Sequence, residues 1–322
     1  MPVSKTVVYM AYLELAGGFI LLLAGGELLV RGACATARRL GVAPLIVGIT
    51  LVGFGTSTPE LVTSLEAALL GAPGIAVGNV VGSNIANILL ILGLAGVIAP
   101  LHMAPATMKR DGAVVLLTAS GCVLAVMAGH IGRVQGAMFV VALLAYIGWS
   151  YLQERRRYAA EGAAPDDSAP VWPRHLGLAV VFTIVGIGIT ILGAHWLIEG
   201  AVAMASQLGV SDAVIGLTIV AVGTSLPELA TSVIAALKRQ PEIALGNVLG
   251  SNIYNILGIL GVTALVQPLD VPAVILDRDV WVMLAATVAL LLLAWRFQRI
   301  GRMSGLAFLG GYAAYTVALF VV

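Results

Sequence analysis

Charge is scarce in this sequence. Of its 322 residues only 17 are Lys or Arg and 16 are Asp or Glu, 10% of the chain, where a soluble domain carries roughly a quarter. That leaves too little polar surface to cover a water-soluble globule. The net charge of +1 gives no sign of a nucleic-acid partner, and none is expected. There are two cysteines, Cys34 and Cys122, which excludes a disulfide framework and a thiolate metal site; each reads as a small packed residue. The first apolar run has no basic stretch before it and no small-residue cleavage site, which excludes a signal peptide, so it is read as a span.

Apolar residues make up the difference: 60% of the chain is hydrophobic and the mean hydropathy is +1.04. A membrane span needs about 20 apolar residues. Ten segments qualify, at 11–30, 43–70, 74–98, 112–128, 131–151, 176–199, 212–237, 243–267, 279–296 and 303–321. They are too long for barrel strands, and backbone groups in lipid must bond internally, so the spans are helices. The expected fold is an all-α integral membrane protein of ten transmembrane helices. The second, third, seventh and eighth are interrupted by Gly, Ser, Thr, Pro and Asn.

The few basic residues are distributed unevenly. Arg38, Arg39, Lys109, Arg110, Arg155, Arg156, Arg157, Arg174, Lys238, Arg239, Arg296, Arg299 and Arg302 fall on one set of connections; Lys5, Arg133 and Arg278 fall on the other. The rich side is cytoplasmic. The expected location is therefore the plasma membrane (the inner membrane of a Gram-negative cell), crossed many times, with both termini outside. The polar stretch 152–175 becomes a cytoplasmic linker, too short for a regulatory domain.

An internal duplication organises the rest. GTSTPE at 55–60 returns as GTSLPE at 223–228, and IAVGNVVGSNIANIL at 75–89 returns as IALGNVLGSNIYNIL at 243–257. Aligned at an offset of 168 residues, 40–92 and 208–260 share 32 of 53 positions without a gap. The domain division is then a five-helix repeat over 1–151, the linker, and a second five-helix repeat over 176–322. Five crossings reverse direction, so the second copy enters the membrane inverted. Inverted repeats with interrupted helices in matching places are a transporter architecture, with the substrate site near the midplane.

Glu60 and Glu228 occupy matching places inside these spans. A charge at mid-bilayer costs about 2.5–3.5 kcal/mol on insertion scales, so two such acids in one duplicated motif point to function. Pro59 and Pro227 precede them. Each removes a backbone donor, which leaves nearby carbonyls, from Gly53 to Thr56 and from Ala221 to Thr224, open to a cation. Thr56 and Ser57 stand four and three residues before Glu60; Ser83 and Asn87, like Ser251 and Asn255, are four apart, so each pair faces one side of a helix. Thr224 and Ser225 repeat the first pattern. The donors are all oxygens, which suits Na⁺, Ca²⁺ or Mg²⁺ rather than zinc or copper; loose coordination by 6–8 oxygens favours calcium. Two carboxylates balance one Ca²⁺ or two Na⁺. Left empty, the site holds two unpaired buried charges, so ions bound on both legs, and hence exchange, are expected. Gly78, Gly82, Gly246 and Gly250 read as close helix contacts, Asn84 and Asn252 as caps or cross-helix hydrogen bonds, and Glu27 and His195 as interfacial. Glu66, near the far end of its helix, is read as helping to attract cations.

The paired GTSxPE and GNVxGSN motifs resemble the repeats of the cation/calcium exchanger superfamily, in particular prokaryotic sodium/calcium exchangers, over both halves of the chain. The resemblance implies that Glu60 and Glu228 are shared by calcium and sodium. It implies carbonyls from Thr56 and Thr224 for calcium, hydroxyls of Ser57, Ser83, Ser225 and Ser251 with carbonyls of Gly53 and Ala221 for outer sodium ions, and Asn87 and Asn255 flanking the centre. The first and sixth helices would slide across the other eight. Asn255 departs from relatives with Asp at that place, which leans against potassium cotransport. The GNxxE pattern of the proton/calcium branch is missing, since Gly82 and Gly250 take the last place. Sodium is thus the expected counter-ion, with a calcium/proton or other cation/proton exchanger as the alternative. The resemblance implies no cofactor and no obligatory protein partner beyond the lipid bilayer and small cations. An intramembrane acid protease is disfavoured because both acids are Glu outside any GxGD-like pattern, and a passive channel because the acidic repeats close a site.

Overall fold

The computed structural model describes residues 5–42, 44–103, 105, 108–161, 173, 175–207 and 221–321. Half of the expected linker 152–175, the Leu208-Gly209-Val210 end of the repeat and the start of the seventh expected span, 212–220, lie outside the described residues.

The chain is helical nearly throughout. Helix α1 (Lys5–Leu40) contains no proline and closes at Gly41, whose φ of +61° lets Val42 N–H reach back to the Ala37 carbonyl in a glycine-capped end. Short helices α2 (Pro44–Val47) and α3 (Gly53–Thr56) flank a widened π turn at Gly48–Val52. Helices α4 (Thr58–Leu69) and α5 (Pro73–Ala86) form a hairpin. A second π turn, Asn87–Leu92, carries α5 on into α6 (Gly93–Ile98). Helices α7 (Ala113–Met127) and α8 (Arg133–Glu161) end the first half.

The second half repeats this order. It has α9 (Leu176–Gln207), α10 (Ala221–Gly223), the hairpin α11 (Leu226–Leu237) and α12 (Pro241–Ile253), and a π turn at Tyr254–Leu260 leading into α13 (Gly261–Val266). Helices α14 (Val280–Phe297) and α15 (Arg302–Val321) follow. The turn between α4 and α5 puts Gly71 at φ +78°, and the matching turn puts Arg239 at φ +56°. The duplicated backbone has kept a left-handed position after losing the glycine that fits it best.

Helices α1 and α9 pack along each other. Gly18, Gly25 and Gly32 recur at intervals of seven, and Gly186, Gly193 and Gly200 match them at the offset of 168. A Cβ on Gly25 would sit 2.5 Å from Thr190 Oγ1, and one on Gly193 2.6 Å from the Leu22 backbone nitrogen. Seven-residue spacing keeps small residues on the seam of a helix pair, where backbones can approach. The most enclosed segments are Pro73–Ile98 and Pro241–Val266. They form the centre of the molecule, with Ile85, Ile88, Ile91, Leu249, Ile253 and Ile256 fully buried.

Seven described helices are long and apolar enough to cross a membrane, and Leu226–Leu237 is a shorter apolar helix. Of the other expected spans, 43–70 is divided into short pieces and 303–321 forms α15. The expected interruption of the third and eighth spans takes the form of a π turn, not of unwound chain: helix runs on through Asn87–Leu92 and Tyr254–Leu260. Two short antiparallel bridges escape the sequence reading. Strand β1 (Leu101–His102) pairs with β4 (Arg299–Ile300), and β2 (His130–Ile131) with β3 (Leu269–Asp270). Each bridge joins one half of the chain to the other.

Candidate cation-binding site

Helix is broken in the same way in each half. Ser57 (φ −85°, ψ 10°) separates α3 from α4, and Ser225 (φ −89°, ψ 8°) separates α10 from α11. The proline two residues on cannot donate, and it sits within the first turn, where no intrahelical donor is needed. Glu60 and Glu228 are therefore delivered from the first turns of α4 and α11, each 1% exposed.

The two halves meet at these acids. Ser57 Oγ donates to Glu228 Oε1 at 2.7 Å, and Ser225 Oγ donates to Glu60 Oε1 at 3.2 Å. Each serine thus serves the glutamate of the other half, whereas spacing alone assigned Ser57 to Glu60. Ser251 Oγ lies 3.5 Å from both Glu228 Oε1 and the Gly53 carbonyl, and Ser83 Oγ lies 3.5 Å from Ser225 Oγ. Thr56 Oγ1 is 3.1 Å from the Val52 carbonyl and 3.1 Å from Asn247 Oδ1. Thr224 is buried beside Ser225. The Gly53 carbonyl, expected to lack an intrahelical partner, accepts the Ser57 N–H at 3.2 Å, because Pro59 removes the donor four residues after Gly55, not the one four residues after Gly53. Ala221 begins the three-residue helix α10.

Asn87 opens the first central π turn and Asn255 lies in the second, both buried. A π turn bulges one residue out of the ladder and is common at functional sites. Asn87 Nδ2 donates to Asn252 Oδ1 at 3.0 Å, a bond across the two halves. Asn84 instead bonds the Val80 carbonyl of its own helix at 2.7 Å.

Among the described residues seven buried side-chain oxygens lack a partner; three are the hydroxyls of Thr36, Ser150 and Thr263, and the other four belong to this site: Glu60 Oε2, Glu228 Oε2, Asn87 Oδ1 and Asn255 Oδ1. Buried polar atoms are nearly always hydrogen-bonded. Four orphan acceptors on two pairs of equivalent residues, surrounded by hydroxyls, are what a desolvated cation requires. Among the described residues no three His, Cys, Asp or Glu come together, so a soft-metal centre is not formed there.

Two polar residues passed over in the sequence lie directly behind the acids. Asn79 Nδ2 donates to the Glu60 carbonyl (3.2 Å) and Ser64 Oγ (2.9 Å); Asn247 Nδ2 donates to the Glu228 carbonyl (3.1 Å) and Ser232 Oγ (2.9 Å). Their recurrence at the offset of 168 was the available signal. Of the four glycines read as helix contacts, Gly250 is the tightest: a Cβ there would lie 2.4 Å from the Ile49 carbonyl oxygen. Gly246 is approached by Gly48, and Gly78 has only ordinary contact with Ile275. Leu217, which matches Ile49 in the second half, lies outside the described residues. Glu27 is at a helix surface, accepting from Lys238 at the end of α11 at 2.6 Å and from Arg31; exposed His195 pairs with Glu199 at 3.3 Å. Both are remote from the acids in bonding. Glu66 is exposed.

The family model described as sodium/calcium exchanger protein matches residues 10–152 and 178–321. The sodium/calcium exchanger MaX1 of Methanosarcina acetivorans is 33% identical, covering 97% of this chain and 99% of its own. The inner membrane protein YrbG of Escherichia coli is 34% identical, covering 94% of each. A solved structure of the sodium-calcium exchanger NCX_Mj soaked with sodium and no calcium superposes with a TM-score of 0.85 at 32% identity, covering 97% of this chain and 99% of that one.

Proposed function

The chain belongs to the sodium/calcium exchanger family, and we propose that it is a secondary antiporter exchanging sodium for calcium by alternating access. As a member of that family it is a multi-pass membrane transporter in the cation/calcium exchange class, and not an enzyme.

The single observation that carries the reading is the set of four buried, donorless oxygens on Glu60, Glu228, Asn87 and Asn255. Calcium takes both carboxylates and the amide oxygens, with Thr56 and Thr224 supplying carbonyls. Sodium uses the same acids together with the hydroxyls of Ser57, Ser83, Ser225 and Ser251 and the carbonyls of Gly53 and Ala221. Two negative charges match one Ca²⁺ or two Na⁺, so reorientation with neither bound exposes two unpaired charges to a dry interior. The architecture we infer is ten helices in two inverted repeats, 1–151 and 176–322, both termini outside and the 152–175 linker cytoplasmic. The repeated sequence, the paired breaks at Ser57 and Ser225 and the cross-bonded serines support it. The long α1–α9 pair, seamed by glycines, suits the moving unit. No cofactor and no second protein enters this scheme.

Sodium, not the proton, is the counter-ion in this reading, since Gly82 and Gly250 stand where an acid would extend the site. In sealed proteoliposomes an outward sodium gradient is expected to drive ⁴⁵Ca²⁺ uptake, while a pH gradient of equal size without sodium gives background. Uptake that follows the pH gradient and ignores sodium makes the protein a calcium/proton exchanger.

A further inference from the structure

We propose that Asn79 and Asn247 are positioning residues of the ion site, each fixing the height and rotation of the glutamate of its own half. This rests on the two-glutamate reading above and extends it to residues that touch no ion.

The need for such a device follows from where the acids sit. Glu60 and Glu228 lie in the first turns of α4 and α11, directly after the breaks at Ser57 and Ser225. A first turn has no preceding turn to accept its N–H groups. The acid-bearing turn is thus the least anchored part of its helix, yet its carboxylate must meet ligands from the other half.

The asparagine amide supplies the missing anchor from the neighbouring helix of the hairpin. Its two N–H groups reach two acceptors one turn apart on the acid-bearing helix, the glutamate's own carbonyl and the serine four residues on. The geometry is reproduced in the second half to within 0.1 Å: 3.2 and 2.9 Å for Asn79, 3.1 and 2.9 Å for Asn247. Ser64, Ser232 and Asn247 are fully buried, and a buried amide is retained at a desolvation cost unless its hydrogen bonds are made. An apolar side chain would pack the hairpin without that cost, but it would not set the register of one turn.

Asn247 Oδ1 also lies 3.1 Å from Thr56 Oγ1 of the first half. Asn247 therefore touches α11 through the glutamate carbonyl, and α3 through a residue whose carbonyl is assigned to calcium. Its removal disturbs ligands from both halves.

The test is equilibrium ⁴⁵Ca²⁺ binding to the purified full chain in detergent, with strontium as competitor, for the parent, Asn79→Ala, Asn247→Ala, Ser64→Ala and the double variant Asn79→Ala/Ser64→Ala. Loss of a residue that orients a metal ligand typically weakens binding about 10–100-fold. Asn79→Ala and Asn247→Ala are both expected in that range. Discrimination against the larger strontium ion falls in both, because a loosened carboxylate no longer fits one radius. Ser64→Ala gives a smaller loss, and the double variant binds no worse than Asn79→Ala, since both substitutions remove one clamp. Ser64→Ala, the mildest change, decides the matter if an asparagine variant does not fold. A lowered thermal midpoint with calcium affinity and the calcium-to-strontium ratio unchanged reduces these residues to hairpin packing and overturns the proposal. Failure of the parent to bind calcium overturns the two-glutamate reading itself, and this proposal with it.

Discussion

Glu60→Gln and Glu228→Gln are each expected to abolish calcium exchange while leaving the protein folded. The amide keeps the shape of the carboxyl and one acceptor oxygen, so the bonds from Ser225 and Ser57 survive. What disappears is half the charge facing a divalent ion. At about 4 Å and an effective dielectric near 20, a pair of unit charges is worth about 4 kcal/mol, so one carboxylate facing a divalent ion is worth about 8 kcal/mol, or about six decades in affinity. Because the two acids are equally buried and related by the repeat, the two losses should be similar in size. Stability should move the other way. Removing a buried charge in calcium-free and sodium-free buffer relieves repulsion, so the thermal midpoint of either variant is expected to match or exceed that of the parent. Transport assays beside thermal unfolding check both halves of the statement; retained exchange in either variant removes that acid from the site.

Gly250→Ala is expected to have the next largest effect, though it adds only a methyl group. The new Cβ would fall 2.4 Å from the Ile49 carbonyl oxygen and 2.5 Å from its Cα. Both are backbone atoms, in the π turn at Gly48–Val52, and no rotamer change removes them. Helix α12 must move away from that turn. Ser251, next in the chain, lies 3.5 Å from both the Gly53 carbonyl and Glu228 Oε1, so the shift opens the site where the halves meet. Overpacking of this kind costs about 1–3 kcal/mol, and a tenfold or greater loss of calcium affinity should accompany the lower thermal midpoint. Gly188→Ala is the control. Its Cβ meets nothing within 4 Å, and helix propensity makes it neutral or stabilising by up to about 1 kcal/mol. Equal midpoints and equal calcium affinity for the two variants would show that the approach at Gly250 is not needed.

Much of the site was legible because the chain states it twice. One buried acid invites a structural reading; two, each following Gly-Thr-Ser-x-Pro, locate a pair of ligands before any contact is known. Composition alone was enough for an all-helical membrane protein. What could not be read is what depends on how the two copies interlock. Spacing along one helix assigned Ser57 to Glu60, and only the apposition of the halves sends it to Glu228. The π turns at Asn87–Leu92 and Tyr254–Leu260 are apolar apart from Asn87, Tyr254 and Asn255, and no proline or charge within them marks a departure from the α ladder. The bridges at Leu101–His102 and His130–Ile131 are two residues long, too short for a period of two to register. Two signals were present and went unused: the seven-residue glycine spacing in α1 and α9, and Asn79 with Asn247, whose repetition was absorbed into a motif whose serines drew the attention.

The central claim is that one pair of carboxylates must always leave a face of the membrane with cations bound. Calcium efflux from ⁴⁵Ca²⁺-loaded proteoliposomes, into medium with sodium or with only a large organic cation, measures this directly. The account predicts efflux in sodium and almost none in the organic cation, because the emptied site cannot return with two unpaired charges. Equal, brisk efflux in both media would contradict it.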